Sequence, residues 1–191
     1  MNQGATQCAL ELSDARVDVI ASACLVAIMS MGHGYHQTSA SELSRAVATS
    51  GVDIPIVTSA GALISGLKFL GAKSIAMIMP YMTPLADMVV SYVENEGIRV
   101  ADSLALEIAD NVEVGRRDPQ LLLKDLERVD TSGVDAVVLS ACVQMQSLSA
   151  IDAAEHRLGI PVISAATATT RSLLEALNIE PKIPRAGALL A

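Results

Sequence analysis

The stretch VDAVVLSACV at Val134–Val143 is an apolar run that ends around Ser-Ala-Cys, and a matched stretch, VDVIASACLV, lies at Val17–Val26. Each copy leads through a helical pattern to a second matched stretch, IPVISAATAT at Ile160–Thr169 and IPIVTSAGAL at Ile54–Leu63. The connections between the paired stretches differ in length, so the chain is not a regular repeat array. Duplication of one unit therefore predicts two similar lobes with a cleft between them.

Short apolar strands alternate with helical patterns along the chain. The strands are predicted at Val17–Ala23, Ile54–Thr58, Ser74–Met79, Ile98–Leu106, Val134–Leu139 and Ile160–Ser164. The helices are predicted at Ala40–Ala48, Ala60–Leu70, Pro84–Asn95 with Thr83 as its N-cap, Pro119–Val129, Leu148–Arg157 and Ala168–Leu177. Such alternation is typical of an α/β fold whose parallel sheets carry helices on both faces.

The two matched copies predict a pseudo-twofold arrangement of the lobes. We expect the first lobe to comprise residues 1–66 and 171–191, and the second lobe residues 67–170. Ligands of parallel sheets bind beyond the carboxyl ends of the strands. That rule places an active site in the cleft between the lobes, near Thr58–Ser59, Pro80–Tyr81, Cys24, Cys142 and Ser164.

The composition fits a globular protein of the cytoplasm. Apolar residues make up 51% of the chain, and no uninterrupted apolar run reaches the roughly 18 residues of a membrane span. The N-terminal segment Met1–Ala5 lacks the basic start and apolar core of a signal peptide. A net charge of −8 without a basic stripe argues against nucleic-acid binding. We therefore expect neither nucleic acid nor a membrane as a partner.

The cysteines are the first candidates for chemistry. Three cysteines cannot all pair within the chain, and a reducing compartment keeps Cys24 and Cys142 as free thiols. Each follows a predicted strand, where backbone N–H groups of the next turn can stabilise a nucleophilic thiolate. The alternative is a buried cysteine that packs as a small hydrophobe. Repetition at matched strand ends favours chemistry for this pair, whereas Cys8, without a counterpart, fits the packing role.

Other polar residues leave two interpretations open. The phenol of Tyr81 can donate to a carboxylate or can be an aromatic with one polar tip at a turn. The amide of Asn111 can point into the cleft or cap a helix, and its spacing favours the cap. Anion binding and helix capping are equally good interpretations of Thr58, Ser59 and Ser164.

The sequence offers no motif for a metal or a nucleotide cofactor. His33 and His36 have no carboxylate or cysteine at the short spacings of a zinc site. The chain also lacks Gly-x-Gly-x-x-Gly and the Gly-Lys-Ser/Thr phosphate-binding sequence. We therefore expect no metal site and no cofactor.

Four segments of the chain are distinctive: ACLVAIM at Ala23–Met29, TSAGA at Thr58–Ala62, PYM at Pro80–Met82 and LSACVQMQSL at Leu139–Leu148. Together they resemble the maleate cis-trans isomerase family, within the Asp/Glu racemase superfamily. The likeness covers essentially the whole chain, and the Cys-Val-Gln-Met block is specific to this group. Members of the family need no metal or organic cofactor, in agreement with the missing motifs.

The resemblance implies a mechanism with two unequal thiols. Cys24 matches the family's nucleophile, which adds covalently to maleate, and Cys142 matches the second catalytic cysteine, which donates and accepts a proton. The product would be fumarate. Side chains and backbone that would hold the substrate carboxylates are expected at Leu25, Val26, Tyr81, Asn111, Val143 and Gln144.

One departure from the family pattern concerns the first lobe. Relatives begin with a further strand, helix and strand, the first strand ending in Ser-Ser-Asn, whose Asn also binds substrate. Without them the edge of the strand Val17–Ala23 would be exposed. We therefore expect an N-terminally shortened member, impaired in activity or stability unless another subunit of a homo-oligomer covers this edge.

Three alternatives remain from the sequence. A racemase or epimerase of the superfamily also uses two cysteines, but the Val-Gln-Met block disfavours it. An activity like that of arylmalonate decarboxylase needs only one catalytic cysteine, which the presence of both Cys24 and Cys142 disfavours. From another class of protein, the chain can be a non-catalytic remnant that binds a dicarboxylate.

Overall fold

The computed structural model describes residues 2–191, with side chains from Gly4 onward. The strands are β1 (Ile20–Ser22), β2 (Ile56–Thr58), β3 (Ser74–Met79), β4 (Arg99–Ala105), β5 (Ala136–Ser140) and β6 (Val162–Ser164). The α-helices are α1 (Asn2–Asp14), α2 (Leu25–Met29), α3 (Tyr35–Ala48), α4 (Ser59–Phe69), α5 (Thr83–Asn95), α6 (Asn111–Arg116), α7 (Leu121–Asp125), α8 (Leu148–Leu158) and α9 (Ala165–Ala176). Single 3₁₀ turns lie at Leu126–Arg128 and Ala188–Leu190.

The strands form two parallel sheets. Strands β1 and β2 pair with each other, and the larger sheet has the order β4-β3-β5-β6. Every pairing in the described residues is parallel, as expected when each strand is followed by a helix that crosses over the sheet. The predicted α/β fold with helix-flanked parallel sheets is confirmed. The boundaries given above for the two lobes stay a prediction.

Strands β3, β5 and β6 of the larger sheet are buried on both faces, and their alternate residues enter two different cores. In β3, Ile75, Met77 and Met79 face a core formed with α2, α4, α5 and α9. Ala76 and Ile78 face a second core formed with α6, α7 and α8. Burying one such aliphatic side chain stabilises the fold by about 1.5–3 kcal/mol. A continuous apolar run is the sequence pattern that a strand of this kind requires.

The smaller sheet rests on a smaller core. Its buried members are Ala9, Ile20, Leu43, Val47 and Ile54, contributed by α1, β1, α3 and the approach to β2. In β1 only Ile20 is buried, and the next residue, Ala21, is exposed. Within the described residues, β1 pairs on one side only, with β2.

Several elements begin at other residues than predicted. Helix α3 starts at Tyr35 rather than Ala40, because Gly34 takes the left-handed conformation (φ 70°) from which the helix begins. Helix α9 starts at Ala165 rather than Ala168. Its N-cap Ser164 forms a capping box with Thr167, which fixes the earlier start.

The predicted cap of α5 is wrong. Met82 is the N-cap residue, and Thr83 is already helical, followed by the proline that favours a first turn. The hydroxyl of Thr83 instead donates to Glu107 Oε1 at 2.8 Å. The side chain therefore ties the start of α5 to the segment after β4.

Candidate active site

The two cysteines occupy equivalent places beyond their strands. Strand β1 ends at Ser22 and is followed two residues later by Cys24, and β5 ends at Ser140 and is followed two residues later by Cys142. Cys24 is exposed and Cys142 is half-buried, and both are free thiols. The matched sequences therefore fold into matched positions with different surroundings.

Cys24 is the N-cap residue of α2 and has non-helical backbone angles. The N–H groups at the start of a helix have no acceptor within that helix, so those of Leu25 and Val26 are available to an anion. Leu25 itself is only 2% exposed. Its side chain enters the core on one face of the larger sheet, and this contact draws the helix that follows Cys24 towards β3 and β5.

Cys142 lies in the loop that follows β5. The amide of Ala141 donates to the carbonyl of Ile78 at 3.0 Å, which holds the end of β5 against β3. The buried hydroxyl of Ser140 donates to the carbonyls of Cys142 at 2.9 Å and Met145 at 3.3 Å. The one hydroxyl proton is shared between these two carbonyls and shapes the loop, so the thiol is carried by an ordered turn.

Tyr81 lies beside Cys142. Its hydroxyl donates to the carbonyl of Ala141 at 3.0 Å, beside Cys142. Burial raises the pKa of Tyr81 far above its ordinary value, and the charge on Cys142, a hydrogen bond with that thiol and the charge on Cys24 raise the pKa further. Both thiols therefore lie within electrostatic reach of one phenol, which stays neutral and acts as a donor.

The same apolar cluster holds four of the six residues predicted to bind substrate. Leu25 is buried in it, and Val26, Tyr81 and Val143 pack against it half-buried. The structure thus brings both thiols and these four residues to the carboxyl-end edge of the sheets. Their roles in binding stay predictions.

Asn111 is not the cap that its spacing favoured. Asp110 caps α6, accepting from the amide of Val112 at 2.7 Å, and Asn111 is the first helical residue. The carbonyl of Asn111 accepts from Nε2 of Gln144 at 2.5 Å. Its exposed side-chain amide has no hydrogen-bond partner among the described residues, which leaves it available to a ligand.

The hydroxyls proposed for anion binding are mainly helix caps. Thr58 Oγ1 accepts from the amide of Gly61 at 3.2 Å, and Ser164 Oγ accepts from the amide of Thr167 at 3.2 Å. Ser59 is fully buried, and its hydroxyl has no partner in the described part of the chain. Capping is therefore the correct interpretation for Thr58 and Ser164.

The histidines serve a contact that the sequence did not indicate. His36 Nδ1 lies 2.5 Å from the hydroxyl of Tyr92, and the amide of His36 donates to the same oxygen at 3.0 Å. His33 Nε2 lies 3.1 Å from Ser91 Oγ. Burial lowers the pKa of His36, and the charge of Glu96 opposes that shift. These contacts join α3 and the segment before it to α5. The two regions are far apart in the sequence, so no local sequence pattern indicates the contacts.

Among the residues with described positions, no group of three or more His, Cys, Asp or Glu side chains is arranged to hold a metal ion. In the same part of the chain, no helix is both long and apolar enough to cross a membrane.

A cavity of about 730 Å³ adjoins the site. It lies between the N-termini of α8 and α9 and the segment Ile183–Arg185, and its wall includes Val143 and Ser164 of the predicted site. Neither cysteine lines it. Cys24 is exposed and Cys142 is half-buried, so neither thiol is enclosed by this cavity.

Known proteins of two activities resemble this chain to different degrees. The profile of a protein family described as arylmalonate decarboxylase matches residues 5–190. An individual arylmalonate decarboxylase, from Bordetella bronchiseptica, is 24% identical over 148 residues, or 76% of this chain and 62% of that protein. A maleate isomerase from Geobacillus stearothermophilus is 52% identical over 191 residues, all of this chain and 76% of that protein.

Two solved structures agree with the higher identity to maleate isomerases. A maleate isomerase from Pseudomonas putida S16, crystallised with maleate, superposes with a TM-score of 0.95 at 53% identity, covering 97% of this chain and 74% of that one. A Nocardia farcinica maleate cis-trans isomerase superposes with a TM-score of 0.97 at 45% identity, covering 100% and 78%. The latter is a mutant with a covalently bound succinylcysteine intermediate. At these identities and coverages, the chain belongs to the maleate isomerase family.

Proposed function

We propose that this chain isomerises maleate to fumarate through a covalent adduct on Cys24, with Cys142 as proton donor and acceptor. The observation that carries the proposal is the placement of two free thiols at matched positions beyond β1 and β5, with the Tyr81 hydroxyl hydrogen-bonded beside Cys142. The active site would lie between the two sheets, as expected for ligands at strand carboxyl ends.

The first half of the reaction forms a single bond where maleate has a double bond. The Cys24 thiolate adds to one alkene carbon, and the π electrons move onto the other carbon and its carboxylate, giving an enediolate. Cys142 then gives its proton to that second carbon. The resulting succinyl thioether corresponds to the succinylcysteine held by the Nocardia relative.

The second half reverses these steps after a rotation. The new carbon–carbon single bond turns, the Cys142 thiolate removes the proton it gave, and the double bond re-forms as the C–S bond to Cys24 breaks. Fumarate leaves, and both thiols return to their starting states. No electron acceptor or external proton is consumed.

The surrounding residues would hold the carboxylates and the developing charge. Tyr81 is a neutral donor because burial and the neighbouring thiols raise its pKa. The free amide of Asn111 and the backbone N–H groups of Leu25 and Val26 are further donors. Donors already aimed at an enediolate stabilise it without reorganisation, which lowers the barrier to addition. Val143 and Gln144 would contribute their N–H groups from the Cys142 loop.

The test is an assay of purified protein that follows the alkene absorbance of maleate. Cys24→Ser and Cys142→Ser are each expected to lower kcat by at least about 10³-fold, because the reaction needs both a nucleophile and an acid. Cys8 is exposed on α1, so the packing role predicted for it is wrong, and Cys8→Ser is the matched control that should keep full activity. Turnover that survives either site substitution would rule out the two-thiol mechanism.

The alternative activities have less support. A two-cysteine racemase is not favoured, since relatives that share about half of their residues with this chain are maleate isomerases. If maleate raises the melting temperature without any turnover, the chain is a dicarboxylate-binding protein instead. The predicted homo-oligomer and the cytoplasmic location stay predictions.

A further inference from the structure

Helix α6 depends on contacts from outside itself. It has six residues, Asn111–Arg116, whereas isolated helices shorter than about 12–15 residues are marginal in water. Val114 is its one buried residue. Its position, and with it the position of the Asn111 amide, must therefore be set by neighbouring side chains.

Two glutamines of the Cys142 loop supply such contacts. Gln144 Nε2 donates to the carbonyl of Asn111 at 2.5 Å, and Gln146 Nε2 donates to the carbonyl of Gly115 at 3.0 Å. A Cβ at position 115 would approach Gln144 Nε2 to 3.4 Å, so the Gln144 side chain lies across the helix. The two bonds fall one turn apart along α6.

The loop that carries these glutamines is itself anchored. Ser140 holds the carbonyls of Cys142 and Met145, and Met145 is only 1% exposed. The chain from Cys142 to Gln144 is therefore a short rigid link. The Gln144 side chain, which binds the carbonyl of Asn111, therefore connects the start of α6 to the loop that carries the Cys142 thiol.

We propose that Gln144 is a positioning residue, whose side chain fixes the distance between the Asn111 amide and Cys142. This inference rests on the proposed function, in which both groups meet the same substrate. Gln146 holds the far end of α6 and does not set that distance. The side chain of Gln144 acts through Asn111 and does not itself take part in catalysis.

The kinetic test compares Gln144→Met with Gln146→Met as the matched control. Both substitutions keep the length of the side chain and remove one exposed hydrogen bond, so both should lower Tm by similar small amounts. Gln144→Met is expected to raise KM for maleate about tenfold with kcat changed less than about threefold. Gln146→Met should leave KM within about twofold. Equal KM values in the two variants would overturn the proposal.

A double-substitution cycle tests whether Gln144 acts through Asn111. In an Asn111→Ala background, Gln144→Met should raise KM by less than about twofold, because the group it positions is already absent. A further tenfold rise in that background would overturn the proposal. Gln146→Met should have the same small effect in both backgrounds.

A third measurement does not depend on turnover. Hydrogen exchange of the free protein should be at least about fivefold faster across residues 111–116 in Gln144→Met than in the unsubstituted chain. Unchanged exchange would overturn the positioning role even if the enzyme is active. Absence of turnover in the unsubstituted chain, with exchange faster in the variant, would instead overturn the proposed function alone.

Discussion

The segments that carry Cys24 and Cys142 have similar sequences, but they are held in place by different strands and contacts. Cys142 follows a five-residue strand that is fully buried in the interior of a four-stranded sheet. Cys24 follows a three-residue strand of a two-stranded sheet and begins a five-residue helix. The Cys142 thiol is half-buried and the backbone carbonyl of Cys142 accepts from Ser140, whereas the Cys24 thiol is exposed. A matched motif in unequal surroundings can therefore perform unequal steps.

The largest expected difference between the two segments is in adduct formation. With Cys142→Ser, maleate should still add to Cys24, and intact-mass measurement should find protein heavier by one maleate. With Cys24→Ser no adduct should form, because the nucleophile is gone. An adduct on Cys142 in the second variant would mean that the two thiols are interchangeable and do not divide into a nucleophile and a proton donor.

A second difference concerns the stability of the two sheets. Ile75→Ala, in a core that is filled from several helices, should lower the free energy of unfolding by about 3–4 kcal/mol, whereas Ile20→Ala should lower it by about 2 kcal/mol. Ile75 is fully buried and Ile20 is 5% exposed in a smaller cluster. Urea unfolding monitored by circular dichroism measures both. A larger loss for Ile20 would show that the β1–β2 region is the better-packed part.

Substitution of Tyr81 tests whether its hydroxyl contributes to catalysis. Tyr81→Phe should lower kcat/KM by about 10²-fold, since one donor to the developing charge is lost. Tyr92→Phe removes a hydroxyl that contacts His36 instead, and should leave kcat within about threefold while lowering Tm. Steady-state kinetics of both variants separates a role at the site from a general loss of packing.

The helix caps beside the two sheets should differ by a smaller amount. Ser164→Ala breaks a buried capping box and should lower the free energy of unfolding by about 2 kcal/mol, against about 1 kcal/mol for Thr58→Ala, which breaks one bond. Thermal or urea unfolding measures the difference. Equal losses would mean that the capping box at Ser164 contributes no more to stability than the single cap bond at Thr58.

The smallest expected effect is on the free energy of unfolding at alkaline pH. Because burial raises the pKa of Tyr81, the folded protein keeps this proton above pH 10, where an unfolded tyrosine loses it. This contribution to stability is complete below about pH 10 and declines as the pH rises further. Tyrosinate absorbance of the unsubstituted chain minus that of Tyr81→Phe should therefore show no ionisation near pH 10. Ionisation there would contradict the buried, neutral phenol.

Elements with a continuous apolar run were predictable from the sequence. The strand Ser74–Met79 has the predicted bounds, because burial on both faces requires apolar side chains throughout. The starts of α3 and α9 were not predictable to the residue. They depend on the backbone conformation of Gly34 and on the Ser164–Thr167 capping box.

The positions of Cys24 and Cys142 beyond their strands were predictable from the sequence, whereas the contacts that hold the Cys142 loop and α6 together were less so. Cys24 and Cys142 carry a repeated motif, and Tyr81 lies at a strand end, so local patterns point to them. Gln144 and Gln146 are exposed and polar, and what they bind is a backbone carbonyl about thirty residues away. No periodicity signals such a contact, because the contact depends on how the loop and α6 are placed in three dimensions.

The exposure of Cys24 also bears on how long the protein remains intact. Oxidation of a thiol to sulfenic and sulfinic acid follows its accessibility, so of the two site cysteines peroxide reaches Cys24 first, before the half-buried Cys142. An opening that admits a small dianion also admits a small oxidant. Working lifetime would then depend on redox conditions, and bound substrate would shield the thiol from damage.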